Sequence, residues 1–365
     1  MFASLARLKA ALGALSLVVV LCTVSSAIVL ATQDDQAKRR KAQAQEVVLS
    51  TIPRHVYKVV DQVDAKEKNE CWYFHLVVDD TRMPARDPLS ALITLFSGST
   101  VRKGLDLSAE ALSSQRALSF KKHAGIDEAF DLRHHFCEPA ALAIDKVRYE
   151  LEFGAPNGKK RRKSVEIPIL TYIQKAKLVF PLKGNFVVMN GNVVEGGHHE
   201  WSQQFAYDIV GLDAHGGVVT GEGAKNDELV GWGREVIAPA DGVVTYSRND
   251  VPDNSRPGVI DMAVLEAMPE QPWPLAGNVV VIDHGGGEYS LLGHMQKGSV
   301  RVKRGDHVRQ ADVLGLLGNS GHSQGPHLHY HLMNGEFLFR SDGLPSRFEN
   351  VEGGTPTQCV MLEAK

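Results

Sequence analysis

Three histidines alternate with larger side chains near the C-terminal end of the chain, at His327, His329 and His331. Residues two apart on a β-strand point to the same face, about 7 Å apart. Two imidazoles placed in this way can bind one metal ion, or one can bind the ion while the other contacts its water. A row of histidines packs poorly in a core, so the pattern indicates a metal centre.

A zinc site that does chemistry needs about three protein ligands and one open position for water. Further candidates occur upstream, at His198, His199 and Glu200, and at Asp208. Asp208 closes the apolar run 205–207, where a carboxylate is either a ligand or a turn cap. With a histidine strand elsewhere in the chain, the ligand interpretation is favoured.

The elements that would position these residues are strands. Between about residues 50 and 175, short apolar runs alternate with polar turns. In 147–153 the apolar residues recur with a period of two, and the alternation resumes at 165–169 after a turn rich in Gly and Pro, which predicts a β-hairpin. The sequence therefore predicts a mostly β domain, such as a sandwich, over 50–175.

A second β domain is predicted from about residue 178 to 345, where glycine becomes frequent and strand patterns follow closely. Its predicted strands are 186–189, 204–210, 236–238, 243–246, 279–282, 289–294 and 328–332. The proline-rich stretch 248–276 interrupts them and is predicted to be a surface insertion that can shape a cleft wall. The predicted fold class is mainly β.

Charge and cysteine content exclude some functions. Lys and Arg total 40 against 43 Asp and Glu, a net charge of -3, so nucleic acid is not expected as a partner. Four cysteines without any Cys-x-x-Cys spacing argue against a thiolate zinc knuckle. Cys71 and Cys137 could form a disulfide, but spacing alone leaves the pairing open. The basic run 159–163 is interpreted as a solvated loop rather than a site for an acidic polymer.

Residues 10–31 contain no charged side chain and are rich in Ala, Leu and Val. A helix of this length can cross the hydrocarbon core of about 30 Å once. We therefore expect a membrane segment at 1–32, with a signal anchor favoured; a cleaved signal peptide is the alternative, because 29–31 ends in small residues. The polar stretch 33–49 is interpreted as a stalk.

Six motifs in the second β domain resemble, in order, those of the M23 (lysostaphin/LytM-type) zinc metallopeptidases. They are Ala238–Val244, Val281–Gly285, Leu292–Met295, Val302–Val308, Gly315–Gly321 and Gly325–His329. The resemblance implies a small antiparallel β fold, one zinc ion (Zn2+) and endopeptidase action, most often on the peptide bridges of bacterial peptidoglycan. It gives the chain a peptidase-like domain at 176–345, a β-rich accessory domain at 50–175 and a C-terminal tail at 346–365.

Carried over position by position, the resemblance implies that Asp208 and His329 are zinc ligands and that His294 and His327 are catalytic histidines. The family's usual histidine four residues before the aspartate is absent, because Gln204 stands there. Members with a longer gap suggest His198 or His199 instead, and His199 is preferred because it lies nearer the strand. His331 stands where many members have a glutamate, and we interpret it as an outer-shell or surface group.

The sequence thus predicts a zinc endopeptidase that cuts peptide bonds in peptidoglycan cross-links or stem peptides. Two alternatives remain: a non-catalytic M23-like regulator of other cell-wall hydrolases, and a secreted zinc protease that acts on proteins. Because peptidoglycan lies outside the cytoplasm, we expect a single-pass anchor with extracytoplasmic domains in the cell envelope, or a secreted or periplasmic protein after cleavage.

Overall fold

The computed structural model describes residues 47–61, 68–80, 88–114, 130–154, 160–191, 198, 201–268, 273–356 and 358–364. The expected membrane segment and all of the expected stalk up to residue 46 lie outside these ranges. Within them, no helix is both long and apolar enough to cross a membrane. The first strand begins at Val47, so the last three residues of the predicted stalk belong to a sheet.

The N-terminal half forms an eight-stranded sheet with the order β1-β3-β2-β8-β7-β4-β5, in which β6 also pairs with β3. All of its pairs are antiparallel except β2 with β8. The strands are β1 (Val47–Ile52), β2 (Val56–Asp61), β3 (Asn69–Asp80), β4 (Ser90–Ser97), β5 (Thr100–Ser108), β6 (Phe130–Pro139), β7 (Lys146–Gly154) and β8 (Lys160–Thr171). A short helix, Ala109–Ser114, and a 3-10 turn, Ala140–Leu142, connect them.

Apolar and polar residues alternate along these strands, so the apolar side chains lie on one face of the sheet and pack into one core. In β7 the four apolar residues Val147, Tyr149, Leu151 and Phe153 are all buried, and β7 pairs with β8 as the predicted hairpin. They join Trp72, Phe74 and Leu76 of β3 in a single hydrophobic cluster. The predicted hairpin is confirmed, and the basic residues at its tip, Lys160 to Lys163, are the first residues of β8.

Cys71 and Cys137 form a disulfide that joins β3 to β6, where the two residues are direct partners in the strand register. The bridge closes a separation of 66 residues, so it removes much conformational freedom from the unfolded chain. Chain-entropy arguments for a loop of this size give a stabilisation of about 4 kcal/mol.

Replacing both bridged cysteines with alanine is therefore expected to lower the free energy of unfolding of the N-terminal sheet by about 4 kcal/mol. Urea unfolding followed by fluorescence, with Trp72 buried in that sheet, measures the loss. Cys359 is exposed and unbridged, so its replacement by alanine is the matched control, with an expected change below about 0.5 kcal/mol. Equal urea midpoints for the double variant and the control would contradict the prediction.

The C-terminal half forms a nine-stranded sheet with the order β15-β12-β13-β14-β17-β10-β9-β19, to which β18 adds beside β17. Its strands are β9 (Gly184–Asn190), β10 (Tyr207–Leu212), β12 (Gly242–Arg248), β13 (Asn278–Asp283), β14 (Tyr289–Met295), β15 (His307–Val308), β17 (Leu328–Met333), β18 (Gly343–Leu344) and β19 (Met361–Ala364). β11 (Glu235–Ile237) and β16 (Val313–Leu316) form a separate pair. Short helical turns occur at Asn226–Glu228, Met262–Glu266 and Trp273–Ala276.

The segment expected to be a C-terminal tail, 346–365, is part of this second unit. β19 pairs with β9 at the sheet edge, and Phe348, Val351 and Ala364 belong to the main hydrophobic core. The tail prediction is therefore wrong for these residues: burial of the Phe348 ring against Tyr207 and Tyr330 draws the chain back onto the sheet.

Several contacts tie the halves together. The buried carboxylate of Glu288 in the second unit accepts hydrogen bonds from the Tyr172 hydroxyl and from the backbone N–H groups of Lys175 and Ala176. Separately, Phe205 packs against Cys71 and Tyr73 of the first sheet. Phe205 lies three residues before Asp208, so the first sheet supports the segment that leads into β10.

Candidate active site

The histidine row and the aspartate meet because three strands are neighbours in the second sheet. Asp208 of β10 is the direct register partner of His329 of β17. On the other side of β17, Gly293 of β14 pairs with His329, which places His294 next to the same position. His327 precedes β17 by one residue. Hydrogen-bond pairing across three strands thus brings together residues that are more than 120 positions apart.

Three side chains can serve as metal ligands at this point: His198, Asp208 and His329, whose ligand atoms all lie within 4.8 Å of one another. His329 Nδ1 lies 3.0 Å from Asp208 Oδ1, and His198 Nε2 lies 3.3 Å from Asp208 Oδ2. A tetrahedral zinc ion with bonds of about 2.1 Å separates its ligand atoms by roughly 3.4 Å. The three donors therefore have both the chemistry and the spacing of a zinc site.

A second group of metal-binding side chains among the described residues, Cys71, His135 and Cys137, does not compete with this site. Both sulfur atoms are joined in the disulfide and so are not thiolates, the form that binds zinc. The His/Asp cluster is therefore the one consistent with a zinc peptidase.

The Asp208 carboxylate is held in its charged form. Asn190 Nδ2 donates to Asp208 Oδ2 at 2.8 Å from the end of β9, and His327 Nε2 lies 3.4 Å from Oδ1. Burial by itself would raise the pKa of Asp208, but the charge on His327 and hydrogen bonds from the surrounding imidazoles outweigh it and hold the pKa well below its usual range. The site therefore presents a negative charge to a cation.

The remaining two histidines of the cluster, His294 and His327, lie side by side with ring centroids 4.7 Å apart. The carbonyl oxygen of Ser320 lies 2.7 Å from His294 Nδ1, and that of Gly325 lies 2.8 Å from His327 Nδ1. A carbonyl can only accept, so in each ring Nδ1 carries a proton that it donates to the backbone. The Nε2 atoms are thereby left for chemistry in the cleft.

These two imidazoles titrate in opposite directions. Burial, reinforced by the charges of the neighbouring histidines, holds the pKa of His294 well below its ordinary value. Burial also acts on His327, but the adjacent Asp208 carboxylate overcomes it and raises the pKa of His327. The lowered pKa keeps the His294 ring neutral, so that it can accept a proton, and the raised pKa helps His327 to keep its proton.

His331 lies behind the candidate ligand His329 and is almost completely buried. Its Nδ1 lies 3.0 Å from His329 Nε2. With the His329 Nδ1 lone pair facing the metal position, Nε2 carries the proton and donates it to His331, which fixes the orientation of the His329 ring. The interpretation of His331 as a surface group is wrong, because β17 is buried on both faces, and the outer-shell alternative fits the structure.

The cluster opens into a cleft with a volume of about 830 Å³. On the side of β9 and β10, the cleft is lined by the apolar side chains of Met189, Val210, Val218 and Leu229. Further apolar lining residues come from the predicted insertion, namely Pro257, Leu275 and Ala276, and from the loop after β17, namely Leu338 and Phe339. The prediction that the 248–276 segment shapes a cleft wall agrees with this lining. Within the described part of the chain, the N-terminal sheet contributes no lining residue.

The site residues expected from the sequence are placed as follows. Asp208, His294, His327 and His329 converge in the cleft, and so does His198. His199 and Glu200 lie outside the described residues, so the structure does not test the preference for His199 drawn from the sequence, whereas it places His198 among the candidate ligands. Gln204 faces away from the ligands and donates from Nε2 to the carbonyl oxygen of Trp201, whereas its neighbour Gln203 lines the cleft. The contact of Asn190 with Asp208 could not be predicted from the sequence, because an asparagine at the end of a strand is common.

Residues 227–339 match the family model described as Peptidase family M23. The chain therefore contains a peptidase M23 domain. The matched range includes His294, His327, His329 and His331 and begins after His198 and Asp208. The pairing of β10 with β17 brings Asp208 beside His329 of that range.

Curated relatives match shorter stretches of the chain. The peptidoglycan DD-endopeptidase ShyA of Vibrio cholerae is 35% identical over 101 residues, which cover 28% of this chain and 18% of that protein. An uncharacterized metalloprotease of Buchnera aphidicola is 46% identical over 55 residues, or 15% of this chain and 14% of the relative. The chain thus spans less than a fifth of the length of either relative. A crystal structure of a zinc-containing peptidase from Vibrio cholerae has 14% identity, covering 75% of this chain and 81% of that one, with a TM-score of 0.24.

Proposed function

We propose that this protein is a zinc-dependent endopeptidase that hydrolyses peptide bonds in peptidoglycan cross-links or stem peptides. The observation that carries the proposal is the convergence, in an M23 domain, of two histidines and an aspartate at zinc-ligand spacing with two further histidines on the same cleft. The naming of a related protein as a peptidoglycan endopeptidase supports peptidoglycan as the substrate.

We assign the zinc ligands to His198, Asp208 and His329. His198 is preferred to His199 because its Nε2 atom lies 3.3 Å from Asp208, with its ring perpendicular to that of His329.

Zinc bound at this site supplies a Lewis acid that polarises the scissile carbonyl and lowers the pKa of a water molecule. His294, with Nδ1–H fixed on Ser320, offers Nε2 as the base that takes the proton of the attacking water. His327, with Nδ1 fixed on the Gly325 carbonyl oxygen, lies beside His294 on the same cleft and is positioned to stabilise the negative charge that develops on the carbonyl oxygen. Neither role requires a serine or cysteine nucleophile.

The proposed location is the cell envelope, where peptidoglycan is found. The uncharged N-terminal stretch 10–31 would serve as a membrane anchor or as a cleaved signal. The proposed partners are accordingly peptidoglycan and, through that stretch, the membrane.

The test is mass spectrometry of muropeptides after incubation of purified full-length protein with cross-linked peptidoglycan. We expect cross-linked dimers to disappear with zinc present and to persist when a chelator is added, and the product masses will identify the bond. Zinc-loaded protein that leaves every muropeptide intact would contradict the proposal. It would direct attention to a regulator of other hydrolases or to a protein substrate.

A further inference from the structure

A loop after β17 places an aromatic ring in the cleft. The loop, residues 334–342, is closed at its base by reciprocal hydrogen bonds between Asn334 and Asp342, through both backbone and side chains. At its tip, the N–H groups of Arg340 and Ser341 donate to the carbonyl oxygen of Phe337. This bonding makes the loop a defined turn.

Three consecutive apolar residues of this loop have different surroundings. Leu338 is buried in a small core cluster with Ala276, Val281 and Leu291. Phe339 packs against the edge of that cluster and also lines the cleft, whereas Phe337 is 47% exposed and is not among the lining residues. Leu338, which also lines the cleft, is buried and anchors the loop, whereas the partly buried Phe339 is the ring presented to a ligand.

The backbone of Phe339 has a φ of +61°, in the left-handed region that side chains other than glycine adopt at a cost in free energy. Five non-glycine residues of the described chain have a positive φ: Ala143, His294, Ala311, Phe339 and Cys359. The two with the largest side chains, His294 and Phe339, both line this cleft. Strained backbone is found preferentially where a side chain must be held for function.

The position of Phe339 relative to the histidines follows from the sheet order. The cluster that supports Phe339 lies over β13 and β14, on one side of β17, whereas Met189 and Val210 belong to β9 and β10 on the other side. The row His327–His329 thus lies between two apolar surfaces. Among the described lining residues there is no Lys, Arg or Glu. Apart from the His/Asp cluster, the polar lining residues are Asn190, Gln203, His322 and Gln324, and the part of the wall that Phe339 forms offers apolar contact.

We propose that Phe339 is a substrate-contacting residue that forms an aromatic wall for an uncharged, apolar part of the peptide beside the bond to be cut. The inference rests on the proposed function, and it names a determinant of binding at that site. A ring at this place binds by apolar contact, so its loss should weaken affinity without changing the metal or the two catalytic histidines.

The experiment measures binding of a purified cross-linked muropeptide dimer by calorimetry, in full-length zinc-loaded protein carrying His294→Asn to prevent hydrolysis. Adding Phe339→Ala or Phe339→Gly is expected to raise the dissociation constant roughly tenfold, with zinc content unchanged. Phe337→Ala removes a neighbouring ring from the same loop and is the matched control, with an expected change of less than about twofold.

Melting temperatures of the same variants test the backbone conformation. Where φ is positive, glycine is the better fit, so the Phe339→Gly variant should melt about 2 °C or more above Phe339→Ala, the reverse of the usual order. At Phe337, alanine should be at least as stable as glycine.

Equal affinity of the muropeptide dimer for the parent protein and for both Phe339 variants would overturn this inference. The proposed function is judged separately by cleavage with the His294 side chain intact. A protein that cuts muropeptides but binds them equally well without the Phe339 ring refutes only the present inference, and a protein that binds through Phe339 without cutting refutes only the proposed function.

Discussion

Replacing His329 with alanine is expected to abolish both zinc binding and peptidoglycan cleavage. His329 supplies one of the three donors, and its Nδ1 atom lies 3.0 Å from Asp208. Loss of partners that merely orient a ligand typically weakens metal binding 10- to 100-fold, so loss of the ligand itself should exceed about 100-fold. Zinc content by mass spectrometry and competition with a chelator measure the effect on the full-length protein.

The adjacent histidines provide the sharpest control for this prediction. His198→Ala should weaken zinc binding as His329→Ala does, because His198 Nε2 is 3.3 Å from the Asp208 carboxylate, whereas His199→Ala should retain zinc. The opposite result would show that His199 is the ligand, as its position nearer the strand suggests. Full zinc occupancy in the His329→Ala variant would refute the assigned ligand set.

The part of the site that lies on regular strands could be predicted from the sequence. The period of two in 327–331 places His327 and His329 on one face, and the residue types select a metal centre. Asp208 could be added because it follows the apolar run 205–207, although β10 begins at Tyr207 and continues past Asp208 to Leu212. The register that pairs Asp208 with His329 belongs to two buried, hydrogen-bonded strands. Local periodicity and burial act together at these positions.

The ligand that precedes Asp208 in the chain, which we assign to His198, could not be predicted in the same way. His198 lies outside the strands, in a segment without periodicity, so no repeat indicates which of two adjacent histidines faces the cleft. Asn190 contributes to the site because β9 pairs with β10. This pairing joins distant parts of the chain, and an asparagine at one position of the sequence does not predict it. The polar side chain of His331 allowed a surface position, but β17 is buried on both faces, and the His331 ring is buried against His329.

Two edge strands, β5 and β19, were not predicted. β5 pairs only with β4 in the described chain, and its side chains are nearly all exposed, Val101 and Leu105 included, so it has almost no buried face. β19 is four residues long and lies in the segment predicted to be a C-terminal tail. Its place beside β9 depends on backbone hydrogen bonds that any sequence can make and on the burial of Phe348 and Ala364, which only the folded sheet provides.

Replacing His294 is expected to remove activity while leaving the metal in place. His294 touches neither oxygen of Asp208 at ion-pair distance; instead, Nδ1 donates to the Ser320 carbonyl at 2.7 Å. Its backbone has a φ of +62°, which asparagine adopts more readily than most residues, so His294→Asn should preserve the fold. Because the variant lacks the base that accepts the proton of water, we expect kcat to fall roughly 10²- to 10⁴-fold.

Zinc content and muropeptide cleavage measured on the same sample separate the two effects. His307→Ala, at an exposed position of β15, is the matched histidine control and should change neither quantity by more than about twofold. Retained zinc with lost cleavage assigns His294 to proton transfer, because a ligand would lose both together. Wild-type cleavage rates in the His294→Asn variant would refute His294 as the base and leave His327, its neighbour in the cleft, as the candidate for that role.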